Sequence, residues 1–133
     1  MAKMARTRPV AKDDRHVALQ KAQQFVEAAR SELANERWDA AGLNAIHSGI
    51  SAADAVLIGV AGIRSASQDH SNVTSLLEQS VASFKGSPRT QLIGLLRMKN
   101  VIAYEQRLIT RVEAQRLVNA ADRFLEWSRK TSY

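Results

Sequence analysis

The chain has 133 residues, of which 45% are hydrophobic and 24% are charged, proportions that are ordinary for a single globular domain. It contains no cysteine, which excludes disulfide bonds and thiolate chemistry and makes the cytoplasm the expected compartment. The longest apolar run, residues 55–63, is far shorter than the roughly 20 residues that span a bilayer, so no membrane association is expected.

The positive charge of the chain is concentrated near its beginning. The formal net charge is +6, and Lys3, Arg6, Arg8 and Lys12 account for four of these charges, so that the other residues sum to +2. We predict that residues 1–16 form a basic flexible arm, because they lack the apolar segment of a secretory signal. Residues 17–130 are the predicted domain. Its charge permits a polyanionic partner without requiring one.

Hydrophobic periodicity predicts an all-α protein, an up-and-down bundle of about five helices. Asp39 and Asp69 are the predicted N-caps of the second and third helices. Thr110 and Glu113 have the spacing of a capping box, which predicts a fifth helix from Arg111. We interpret residues 101–109 as a loop, because a single short strand would have no pairing partner. The other predicted helices cover residues 18–33, 40–63 and 88–100.

The second predicted helix carries two adjacent stripes of residues, one of large apolar side chains and one of small residues. Gly42, Gly49 and Gly59 lie in the small stripe, and each costs about 0.5–1 kcal/mol relative to alanine inside a helix. A close contact must compensate for this cost, either within the bundle or across a dimer. From the surplus of small and apolar positions we predict a symmetric homodimer.

Residues 95–127 carry the most specific pattern of the chain. Arg97 is followed seven residues later by Tyr104, and next comes the turn into Val112, Glu113 and Ala114 of the capped helix. This succession resembles the C-terminal half of the HEPN superfamily, small helical bundles named for nucleotide binding in higher eukaryotes and prokaryotes. Further similarity to the family's first helix lies at Ala22, Phe25, Ala29 and Leu33.

The resemblance implies a function that involves RNA or a nucleotide. In HEPN ribonucleases, an arginine and a histidine from two subunits converge in a dimer cleft and act on RNA without a metal or a cofactor. Arg97 and Tyr104 stand at matching places, but Ile102 occupies the histidine position. The resemblance therefore implies a toxin–antitoxin or defence component that binds RNA or a nucleotide, with an antitoxin or a nucleotidyltransferase as partner, and it makes ribonuclease activity doubtful because isoleucine cannot transfer a proton.

A second candidate site lies in the loop before the third helix. Arg64 and His70 are six residues apart and precede a helix start, where anions are favoured. These residues form a phosphate or nucleotide site under one interpretation, and under the other Asp69 caps the helix while Arg64 and His70 are solvated. The candidate site residues are thus Arg97, Tyr104, Arg64 and His70.

Other constellations give weaker indications. His47, Ser51 and Asp54 share one helical face, but His47 and Asp54 are about 10 Å apart along the helix, too far for a catalytic triad. We predict a polar patch bonded to a neighbouring helix. The three histidines are scattered and no metal site is expected. The alternative to RNA binding is a non-catalytic dimeric module for protein interaction.

Overall fold

The structure, a computed structural model, describes residues 7–66 and 72–133, and these residues form a helical bundle with one small sheet. The bundle confirms the predicted all-α class, and the described residues contain five α-helices, as expected. The helices are α1 (Arg15–Ala34), α2 (Trp38–Ala61), α3 (Val73–Ser80), α4 (Ser87–Tyr104) and α5 (Arg111–Thr131).

The central helix is α2, which packs most extensively against α1 and α5. By length and composition α2 is also apolar enough to cross a membrane, but 72% of its most apolar stretch is buried inside the bundle. The core helix of a bundle meets the same criterion because it is apolar on every side. At the α1 contact, the buried Ser48 hydroxyl donates to the carbonyl oxygen of Ala22 at 2.8 Å.

The small stripe of α2 is used within the bundle. A Cβ atom at Gly42 would lie 2.9 Å from Ile102 of α4, and a Cβ atom at Gly49 would lie 2.7 Å from Leu95 of the same helix. At Gly59 a Cβ atom would collide with the backbone carbonyl oxygen of Ser132. The close contact that the glycines predict is therefore intramolecular, and the stripe gives no support to the predicted homodimer.

Part of the predicted N-terminal arm forms secondary structure. Strand β1 (Thr7–Pro9) pairs antiparallel with β2 (Ile63–Ser65), and residues 12–14 form a 3-10 helix before α1. Gly62 ends α2 with a φ of +64°, a left-handed conformation that favours glycine. Its carbonyl oxygen accepts a hydrogen bond from Val10 N at 2.9 Å. The sequence analysis did not predict this pairing, because it joins segments more than 50 residues apart.

Two local predictions were wrong, and a third prediction falls on residues outside the described ranges. Helix α4 continues to Tyr104 and does not end at Asn100, since Val101 and Ile102 are held by packing against the core. Asp39 lies in the first turn of α2, where its side chain accepts a hydrogen bond from Ile109 N at 2.7 Å and does not cap the helix. The predicted cap Asp69 and its neighbour His70 fall outside the described residues.

Candidate functional site on helix α4

Arg97 and Tyr104 lie on the outer face of α4. Seven residues correspond to almost two full turns, so the two side chains point to nearly the same side and are about 10 Å apart along the helix axis. Both residues are exposed, Tyr104 to 77% of its surface, and Asn100 between them is exposed as well. The structure therefore places the two predicted site residues on one open surface.

Ile102 lies on a different side of α4, in contact with the core. It is five residues after Arg97, which is about 140° around the helix. Its Cδ1 atom is one of three that a Cβ atom at Gly42 would meet, and the side chain is half-buried against the core. A proton-transfer group at position 102 would therefore face into the bundle and would not reach a phosphate held by Arg97.

Helix α4 is basic and contains no acidic residue. Its cations are Arg89, Arg97 and Lys99, and Arg89 is paired with Glu78 of α3. Within the part of the chain that the structure describes, Arg97 has no carboxylate partner. Other arginines are engaged in ion pairs, as in Arg30–Asp122, Arg37–Glu32, Arg64–Asp54 and Arg107–Glu113. The guanidinium of Arg97 thus keeps its capacity to hold phosphate oxygens with two parallel hydrogen bonds.

The connection between α4 and α5 is held by a local network of charges. Thr110 and Glu113 form the predicted capping box, in which each side chain bonds to the backbone N–H of the other residue. Arg107 binds the same carboxylate with bonds of 2.9 and 3.0 Å. These hydrogen bonds lower the pKa of Glu113 from 4.5 to about 2, and the bond from Arg107 has the largest effect. Glu113 therefore stays ionised at neutral pH and its charge is matched by Arg107.

A groove with a cavity volume of about 360 Å³ lies between α4 and α5. Gly94 opens this groove, because a Cβ atom built there would have no neighbour within 4 Å. The amide oxygen of Gln91 is buried and has no hydrogen-bond partner among the described residues. The remaining lining residues are Thr90, Met98, Glu113, Arg116, Leu117 and Ala120. The groove lies beside the face that carries Arg97, because its α4 residues are about 20–120° further around the helix.

Of the second pair of predicted site residues, Arg64 and His70, the structure describes only Arg64. Arg64 lies on β2 at a pocket of about 470 Å³ between α1 and α2, where its guanidinium is 3.5 Å from the buried carboxylate of Asp54. Lys21, Asp14 and Ser51 also line this pocket. Two carboxylates oppose the binding of an anion here. The interpretation of Arg64 and His70 as a phosphate site stays a prediction, because His70 lies outside the described residues.

The three polar residues on one face of α2, His47, Ser51 and Asp54, make contacts in different places. The ring of His47 lies 5.3 Å from that of Phe25 on α1, so His47 contacts the neighbouring helix. Ser51 and Asp54 line the Arg64 pocket. No group of three or more His, Asp or Glu residues that could hold a metal occurs within residues 7–66 and 72–133. The chemistry available to the site on α4 is therefore that of arginine, amide and phenol groups.

Sequence reasoning missed Asn100, Gln91 and Gly94 as parts of the surface around Arg97. One signal was available, because residues 87–104 contain three cations and no acid. Once α4 is extended to Tyr104, helical periodicity places Asn100 between Arg97 and Tyr104. The groove had no comparable signal, since it depends on the distance between α4 and α5.

Comparison with known proteins gives one family. The sequence profile of the HEPN domain matches residues 16–131, which include all five helices except the first residue of α1. Among curated proteins, none matches the chain. HEPN domains are helical and are associated with RNA binding, ribonuclease activity and toxin–antitoxin systems. Since the profile covers most of the chain and the helical fold agrees, the protein belongs to the HEPN domain family.

Proposed function

We propose that this HEPN protein binds RNA through the outer face of α4 and does not cleave it. The observation that carries the proposal is the guanidinium of Arg97, which has no ion-pair partner among the described residues and lies on a helix without acidic residues. Asn100 and Tyr104 extend the same exposed face with a hydrogen-bonding amide and an aromatic ring. Phosphate oxygens fit the arginine, and an unstacked base fits the tyrosine ring.

The absence of cleavage follows from where proton-transfer groups lie. Ile102 cannot move a proton, and its side chain faces the core. Of the histidines that the structure describes, His16 bonds to the hydroxyl of Tyr133 at 2.7 Å and His47 lies against Phe25. Neither is on α4. RNA held at Arg97 therefore lacks an imidazole from the described residues of the same protomer, and general acid–base catalysis needs such a group within hydrogen-bond reach.

The biological setting that we propose is a cytoplasmic toxin–antitoxin or defence system. HEPN domains often form dimers, and we propose a homodimer that brings two α4 faces to one RNA. Because the glycines of α2 are used within the bundle, the dimer surface must lie elsewhere. An antitoxin or a nucleotidyltransferase is the proposed protein partner. Binding of a free nucleotide at Arg97 would use the same phosphate contact as RNA.

A second candidate function is supported by exposed apolar residues where α4 connects to α5. Tyr104, Leu108 and Val112 are exposed to 77%, 78% and 57%. Three large apolar side chains within nine residues are unusual for a surface that contacts only water. They support a dimeric protein-interaction module, in which Arg97 either increases solubility or pairs with a carboxylate of the partner. RNA binding distinguishes the two functions.

The test is a titration of labelled RNA followed by fluorescence anisotropy. Arg97→Ala is compared with Arg123→Ala, which removes the same charge from an exposed position on α5 that has no ion-pair partner among the described residues. We expect weak, salt-sensitive binding by the parent, a clear loss with Arg97→Ala and little change with Arg123→Ala. Equal losses in both variants would indicate nonspecific charge attraction, and no binding by the parent would favour the interaction module.

A parallel incubation of labelled RNA in EDTA tests the absence of cleavage. We expect the RNA to stay intact with the parent protein. Efficient cleavage that persists in Arg97→Ala and is lost in His70→Ala would overturn the proposal. It would place the active site at Arg64 and His70.

A further inference from the structure

We propose that the groove between α4 and α5 binds one nucleobase of an RNA strand whose phosphates are held at Arg97. This inference rests on the proposed RNA binding and adds the part of RNA that the groove recognises. The groove has a volume of about 360 Å³, within the range of about 300–1,000 Å³ that is typical of ligand pockets. It runs along α4 beside Arg97, so a strand on the outer face can turn one base into it.

The groove is held open by Gly94, in contrast to the glycines of α2. A Cβ atom at Gly94 would meet no atom within 4 Å, whereas each glycine in the small stripe of α2 is closed by a neighbour. A glycine inside a helix costs about 1 kcal/mol relative to alanine, and at Gly94 no packing contact within the described residues compensates for that cost. The groove therefore has room beside Gly94 for a group from outside the protomer.

The amide of Gln91 gives the groove a polar group without a partner. Its oxygen is buried and accepts no hydrogen bond from the described residues, a condition that costs about 1–3 kcal/mol. The side chain lines the groove, and rotation about its last bond exchanges the places of the oxygen and the nitrogen, so either atom can face an occupant. A glutamine amide presents one acceptor and one donor side by side, the arrangement that pairs with the edge of a base.

The walls of the groove suit the flat faces of a base. Met98, Leu117 and Ala120 are apolar, and the thioether of methionine makes favourable contacts with aromatic rings. Arg116 adds a positive charge, and the negative charge of Glu113 is matched by Arg107. The groove therefore combines an apolar interior with a polar amide and one cation that has no ion-pair partner within residues 7–66 and 72–133, which fits a base attached to a phosphate backbone.

Four variants and two probes test the inference, and one of the variants, Arg97→Ala, removes the phosphate contact and leaves the groove unchanged. Gly94→Leu places a large side chain at the groove, where its Cβ atom meets no atom within 4 Å. Gly94→Ala is its control, because a methyl group leaves most of the volume free. Gln91→Met removes the amide at similar size. The probes are a short single-stranded RNA and an abasic strand of the same length and charge.

We expect Gly94→Leu and Gln91→Met to weaken RNA binding by about tenfold, the loss of one base contact, and to leave binding of the abasic strand unchanged. Gly94→Ala should bind both probes like the parent, and Arg97→Ala should weaken binding of both. Both groove variants should melt at or above the temperature of the parent, which shows that the fold is kept.

Two results would overturn the inference. If Gly94→Leu binds RNA like the parent, the groove holds no base, while the proposed RNA binding at Arg97 still stands. If Gly94→Leu changes the oligomeric state instead, the groove is occupied by protein. Failure of the parent to bind either probe would overturn the proposed function itself, and the inference with it.

Discussion

Glycines and charged side chains occur both on the inner face of α2 and on the outer side of α4, but they make different contacts in the two places. Glycines on α2 are closed by side chains or backbone of other elements, while Gly94 on α4 faces a groove. The charges differ in the same way, since the buried Asp54 of α2 is paired with Arg64 and Arg97 of α4 is unpaired among the described residues. On α2 the contacts of the glycines and of Asp54 are complete within the bundle, whereas on α4 Gly94 and Arg97 have contacts left open at the surface where we propose that RNA binds.

The largest expected effect is that of Gly59→Ala. A Cβ atom at this position would collide with the carbonyl oxygen of Ser132, a backbone atom that cannot rotate away. We expect a loss of about 3 kcal/mol in the free energy of unfolding, the upper end for overpacked sites. Urea denaturation measures it. A variant as stable as the parent would show that the end of α5 does not pack against α2.

Ile102→His tests whether the side chain at position 102 of α4 packs against the core. The structure places position 102 among apolar side chains at a half-buried site, and a polar group that loses water there without gaining a hydrogen-bond partner costs up to about 1–3 kcal/mol. We therefore expect lower stability in urea denaturation and no RNA cleavage. Restored cleavage with unchanged stability would mean that position 102 faces the RNA, and the distinction between the two sides of α4 would be lost.

Gly94→Ala should have the opposite sign to Gly59→Ala. No atom within 4 Å opposes the new methyl group, and alanine is favoured over glycine inside a helix by about 0.8–1 kcal/mol. We expect the free energy of unfolding to rise by that amount in the same denaturation series. Destabilisation would show that the groove at Gly94 is closed in solution.

The smallest effect is a pH dependence at the connection between α4 and α5. The pKa of Glu113 in the folded protein is about 2, below its usual 4.5. A lowered pKa stabilises the folded state above the unfolded value, and this contribution is lost as the pH falls from about 4.5 to 2. The melting temperatures of the parent and Arg107→Ala should therefore converge over that interval. A constant difference would contradict the role of the Arg107 pair.

The parts of the fold that sequence predicted are those governed by local chemistry. The capping box of Thr110 and Glu113 spans four residues and formed as expected, and the buried face of α1 follows from its periodicity. Asp39 was misassigned because its partner, Ile109, is 70 residues away. The same limit applies to the pairing of β1 with β2, because the whole of α1 and α2 lies between them in the sequence.

The candidate site was predictable where it depends on α4 alone. Arg97 and Tyr104 were identified by family resemblance, and the structure places them on one exposed face. The orientation of Ile102 required the position of Gly42 on α2, and the groove required the spacing between α4 and α5. Those features arise from packing between helices, which the periodicity of one helix does not determine.

The most direct test of the RNA-binding face is an NMR titration of the amide signals with single-stranded RNA. The account predicts salt-sensitive shifts that cluster on the outer face of α4, at Arg97, Asn100 and Tyr104, and extend to Gly94 in the groove. Amides around Asp54 and Arg64 should stay unchanged. Shifts confined to the Arg64 pocket, or spread evenly over all basic residues, would contradict it.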